Sequence, residues 1–75
     1  MGRLAGFSGR EVRRVAEGDG WGFRRQVGSH MVLRKDGVSR GLSIPDHGTL
    51  DEGMLRSLIR TMDWTVEDFL ARAKK

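Results

Sequence analysis

The chain has 75 residues, no cysteine, two histidines and a net charge of +4. That length allows one small domain, residues 1–75, with a modest core. The composition excludes disulfides and thiolate metal ligation, and leaves a structural zinc site without its usual ligands. No apolar run approaches the length of a membrane span and no signal-peptide pattern opens the chain, so a cytoplasmic protein is expected.

Ser8 to Glu11 reads as a capping box, with Phe7 placed to staple against Val12. Val12, Val15 and Ala16 then share one face, which predicts a helix over 9–17 with Gly18 as its stop. Trp21, Phe23 and Val27 alternate with Gly22, Arg24 and Gln26, as in a strand with one buried and one wet face. Arg25 falls on the apolar side of that count. Gly28 breaks the strand. Met31 to Lys35 predicts a second strand, Asp36-Gly37 a two-residue hairpin, and Val38 to Ile44 a third strand ended by Pro45. Thr49 to Glu52 reads as a second capping box before an amphipathic helix over 50–62, with Gly53 a local cost inside it. Thr65 caps a short last helix, with Asp68 at its third position, and Ala71 to Lys75 is expected to fray. The predicted class is therefore α+β, in the order α-β-β-β-α plus a short C-terminal helix. A three-stranded antiparallel sheet carries helices on one face, an arrangement like that of a double-stranded-RNA-binding domain.

The positive charge is unevenly placed. Residues 1–40 hold nine basic against four acidic residues, a net +5, whereas residues 41–75 are net −1. Most of the excess is arginine, whose planar fork suits phosphate. A basic chain with arginines on an open sheet face points to nucleic acid. Within that region Gly28-Ser29-His30 puts an imidazole at the start of the second strand, with Arg34 further along the same face. Histidine can move protons near neutral pH.

Several segments, in order, resemble the HicA-type (YcfA-like) toxin family. Ser8-Gly9-Arg10-Glu11-Val12 resembles its opening helix. Arg25-Gln26-Val27-Gly28-Ser29-His30 resembles its R-Q-x-G-S-H signature, continued by Val32-Leu33-Arg34. Ile44-Pro45-Asp46-His47 is similar to its apolar-Pro-x-His segment. Gly53-Met54-Leu55-Arg56-Ser57-Leu58-Ile59-Arg60 resembles its G-T-L-R-x-I-L-R helix, and Val66-Glu67-Asp68-Phe69-Leu70 its closing V-E-E-F-L. Many members carry a second histidine where this chain has Met31, and Gly18 to Gly22 is richer in glycine than the usual connection. The resemblance implies an endoribonuclease that cleaves mRNA, arrests growth and is neutralised by a HicB-type antitoxin, with His30 as the catalytic residue and no cofactor or metal.

RNA cleavage needs a base for the 2′-hydroxyl proton and an acid for the leaving oxygen, and a histidine can serve either step. Without a metal, arginine, lysine or backbone N–H groups must meet the charge on the phosphorane. Arg24, Arg25, Arg34, Lys35 and Arg40 are candidates for holding the RNA backbone, Arg34 first among them, and Gly28 and Ser29 line the same approach. Gly28 is read as permitting close backbone approach. Ser29 is rejected as a nucleophile for His30, because neighbours on a strand face opposite ways. His47 is read as a loop residue with polar partners, or else as a second proton-transfer group or phosphate ligand. Trp21, Phe23 and Trp64 are read as core. Two other functions fit the same residues: a non-catalytic RNA-binding module of the double-stranded-RNA-binding type, and a protein that only docks a partner on its open sheet.

Overall fold

A computed structural model describes residues 3–74. Its elements are α1 (Gly9–Glu17), β1 (Gly22–Val27), β2 (His30–Arg34), β3 (Leu42–Pro45), α2 (Glu52–Thr61) and α3 (Val66–Ala73). The α-β-β-β-α order with an added C-terminal helix is the expected one. The strands are antiparallel in the order β1-β2-β3, so β2 is central. Met31 and Leu33 of β2 and Leu42 and Ile44 of β3 are buried in one cluster with Val12, Ala16, Leu55, Leu58, Ile59 and Phe69 from the helices. Their strand neighbours Val32, Arg34 and Ser43 stay partly or fully exposed. One face of the sheet thus carries the helices and the other is open.

The caps explain where the helices begin. Ser8 accepts from the Glu11 N–H at 3.1 Å while the Glu11 carboxylate accepts from the Ser8 N–H at 2.8 Å. Thr65 and Asp68 exchange the same pair of bonds ahead of α3. The box expected at Thr49 does not form. Leu50 is buried and its N–H donates to the Phe7 carbonyl at 2.7 Å, which holds it out of the helix. Asp51 caps α2 instead, accepting from the Met54 N–H at 3.2 Å. Fraying is expected from Ala71, but α3 runs to Ala73, with Arg72 bonded to Asp19 at 3.2 Å and stacked on the Trp64 ring. Lys75 lies outside the described residues.

Two strand connections differ from expectation, and the difference positions the site. Val27 pairs with His30, so Gly28-Ser29 is itself a two-residue hairpin turn. Gly28 has φ +59 and Ser29 keeps a negative φ, the pattern of a type II′ turn, which matches the twist of the strands it joins. Ser29 is therefore a turn residue, not a strand residue. The Asp36-Gly37 signal makes a turn, with the Val38 N–H on the Lys35 carbonyl at 3.1 Å. Asp36 keeps a negative φ, so this is not the type I′ turn that a two-residue hairpin needs. The chain instead takes a longer connection, and β3 begins at Leu42, not at Val38.

Candidate active site and nucleic-acid interface

Pairing across an antiparallel ladder puts partners on the same face. Phe23 pairs with Leu33 on the helix-covered face, yet Arg25 pairs with Val32 on the open face. Arg24 is the extra residue of a β-bulge between them. The bulge reverses the parity of the strand, and this is why Arg25 did not fit a simple alternation. After it, Gln26 lies on the covered side beside Met31, and Val27 on the open side beside His30. Phe23 and Val27, read as strand core, are 39% and 53% exposed. Phe23 is covered from above by Arg13, whose guanidinium carbon stands 4.1 Å from the ring centroid. Trp21 is buried just ahead of β1, as expected for core.

His30 opens β2, exposed on the open face, between Val27 of β1 and Pro45 of β3. Val32 and Arg34 follow it on that face. Arg24, Arg25, Val32 and Arg34 together line a shallow depression of about 320 Å³. Arg34 is held in place there. It donates to the Ser39 carbonyl at 3.3 Å, and its side chain lies over Gly41, where an added Cβ would stand 3.3 Å from Nη1. His30 and Arg34 are four residues apart on one strand, about 13 Å.

The other candidates lie elsewhere. Lys35 binds Asp19 at 2.8 Å, and Asp19 also receives Arg72, so Lys35 ties the end of β2 to the α1–β1 loop and α3. Arg40 donates to the Thr61 carbonyl at 3.5 Å, at the C-terminus of α2, where a cation suits the helix dipole. His47 is exposed, and its carbonyl accepts from the Gly9 N–H at 2.9 Å, which serves the docking of α1 on the end of β3. An added Cβ at Gly28 would meet nothing within 4 Å, so the glycine answers the turn and not a close approach.

One group around His30 escaped sequence reasoning. The Gln26 amide donates to the Gly28 carbonyl at 3.3 Å and to the Asp46 carboxylate at 3.4 Å. The Asp46 N–H donates to the Ser29 carbonyl at 2.6 Å. Arg10 grips the same carboxylate with two nitrogens, at 3.1 and 3.3 Å. Arg10 thereby holds the Asp46 carboxyl below its ordinary value, with Gln26 adding to the effect. The turn that presents His30 is thus fastened to β3 and, through Asp46, to α1. The signal was a polar Gln26 beside an apolar strand, readable only once the bulge is counted.

Among the described residues no group of three or more His, Asp or Glu is placed to hold a metal ion, and no helix is long and apolar enough to cross a membrane. The family model described as the HicA toxin of bacterial toxin–antitoxin matches residues 9–64. The match takes in α1, the whole sheet and α2, and leaves α3 beyond it. The comparison with curated proteins returns no match.

Proposed function

The chain belongs to the HicA toxin family of bacterial toxin–antitoxin pairs, and from that premise we propose that it is a metal-independent endoribonuclease that cleaves mRNA with His30. The observation that carries the reading is the placement of His30. It is an exposed imidazole at the head of the central strand, on the uncovered face and in line with Arg34. The His30 imidazole takes the 2′-hydroxyl proton as that oxygen attacks the adjacent phosphorus. The bond from phosphorus to the 5′-oxygen breaks, the leaving oxygen takes a proton, and a 2′,3′-cyclic phosphate remains. Arg24, Arg25 and Arg34 hold the backbone along the open face, contacts that position the strand without reading its sequence. Gly28 and Ser29 set the turn that presents the imidazole. A HicB-type antitoxin neutralises the toxin by covering this face.

The test is incubation of the protein with single-stranded RNA in the presence of a chelator, beside His30→Ala. Wild type is expected to cut, and the variant to be slower by about 10² to 10⁴-fold. RNA left intact by the wild type, or cut equally by the variant, removes the assignment. Duplex binding that survives His30→Ala with no cutting by either protein would favour a non-catalytic RNA-binding module.

A further inference from the structure

We propose that the bulge of β1 builds a phosphate-binding station separate from the cutting position, gripping RNA about one to four nucleotides away from the bond cut at His30. The inference rests on the reading of His30 as the cutting group.

The bulge does the construction. A regular β1 would send Arg24 and Arg25 to opposite faces. With Arg24 as the extra residue, Arg24 and Arg25 both line the depression that Val32 floors and Arg34 closes. No acidic residue lines it. Arg24 and Arg25 make no side-chain hydrogen bond or ion pair among the described residues. The contrast with the basic depression on α1 is direct. That one contains Glu17 beside Arg10, Arg13 and Arg14, and both Arg10 and Arg13 are already paired with carboxylates. Three guanidinium groups gathered without a carboxylate repel one another, and an anion relieves that repulsion. Arginine forks match phosphate oxygens in pairs. Arg34, fixed over Gly41 and bonded to Ser39, is ordered before any ligand arrives.

The spacing gives the register. Val32 stands about 7 Å and Arg34 about 13 Å from His30 along β2. Phosphates of a stacked strand rise about 3.4 Å each, and those of an extended strand roughly twice that, so the station meets a phosphate about one to four nucleotides from the scissile one. It grips backbone alone, so it strengthens binding alike across sequences.

The experiment first maps one scissile bond on a long RNA with the wild-type protein. Oligonucleotides holding that bond are then lengthened one nucleotide at a time on either side, and kcat/KM is measured with chelator present. A step of about tenfold is expected when the chain reaches the station on one side. A neutral methylphosphonate at that linkage should erase the step, and Arg24→Ala and Arg25→Ala should each shrink it. A rate indifferent to length, or a step that neither arginine variant alters, overturns the station. A second measurement does not depend on cutting. His30→Ala, with and without Arg24→Ala and Arg25→Ala together, is titrated with labelled 2′-O-methyl RNA. The added variants are expected to weaken binding about tenfold or more and to reduce the salt slope by about 0.7. Unchanged affinity overturns the station even if the protein cuts RNA. Weakened affinity, with a wild type that cuts nothing, upholds the station and overturns the role of His30.

Discussion

A histidine is useful to a reaction only where its backbone is held, and the backbone of His30 is held from the turn before it. Gln26, Asp46 and Arg10 form one connected set around Gly28-Ser29, with the Asp46 N–H on the Ser29 carbonyl at 2.6 Å as its shortest bond. Gln26 touches no part of the open face where RNA would lie, since its register partner is the buried Met31. Its loss should therefore reorient His30 without weakening RNA binding. Gln26→Ala is expected to lower kcat by up to about 100-fold while KM holds and stability changes by less than about 1 kcal/mol. A rise in KM with kcat unchanged would instead make Gln26 an RNA contact. His30, Arg34 and the break at Gly28 were readable in the sequence, because each carries its meaning in its own side chain or dihedral preference. Asp46 and Arg10 were not. Their importance lies in a pairing across 36 residues, which no local pattern announces.

At the scale of elements, two devices set the architecture, and both turn on one residue. The first is the bulge, which moves Arg25 and Val27 to the open face and brings Gln26 to the covered one with Phe23. The second is the docking of the first turn of α1 on the end of β3. A Cβ added to Gly9 would stand 1.9 Å from the Pro45 carbonyl oxygen, with backbone on both sides of the contact. Neither partner can swing away as a side chain could, and the Gly9 N–H is already spent on the His47 carbonyl. Gly9→Ala should therefore destabilise by about 2 to 3 kcal/mol despite the better helix propensity of alanine. In a thermal melt that is a fall in Tm of at least about 8 °C. A melt within a degree or two of wild type would show that α1 docks some other way. The elements themselves were legible: Ser8 and Thr65 cap where capping boxes predict. The connections were not, because a turn sequence fixes a local dihedral pattern and leaves open which turn closes the tighter hairpin. Asp36-Gly37 reads as the hairpin turn and Gly28 only as a break, yet Gly28-Ser29 closes the tighter hairpin. Pairing with the sheet decided between them.

Across the whole molecule, among the described residues, Arg24, Arg25 and Arg34 of the open face pair with no carboxylate, whereas five cations elsewhere do. Arg3, Arg10, Arg13, Lys35 and Arg72 each bind a carboxylate. The excess charge counted in residues 1–40 is therefore partly spent on fastening the fold, and the three arginines of the open face keep theirs unpaired by any carboxylate. This distribution makes stability depend on acid in a defined direction. Hydrogen bonding from Lys35 lowers the pKa of Asp19, and Arg10 does the same for Asp46, Arg3 for Glu67, and the Thr65 cap for Asp68. A carboxyl whose folded value lies below its unfolded value stabilises the fold above the unfolded value, and that contribution vanishes as pH falls through the folded one. Stability is thus expected to be level near neutrality and to fall below about pH 4, where protonation also leaves the 14 Lys and Arg without counter-charge. Asp19 is the group to test, since its two ion pairs join the α1–β1 loop to the end of β2 and to α3. These pairs are largely solvent-screened, so Asp19→Asn should cost about 1 kcal/mol near pH 7. The cost should be smaller at about pH 3, where the unfolded carboxyl has already lost most of its charge. Urea unfolding of both proteins at the two pH values reads this directly. If the gap between them were as wide in acid as at neutrality, the charge on Asp19 would not be what joins the three elements.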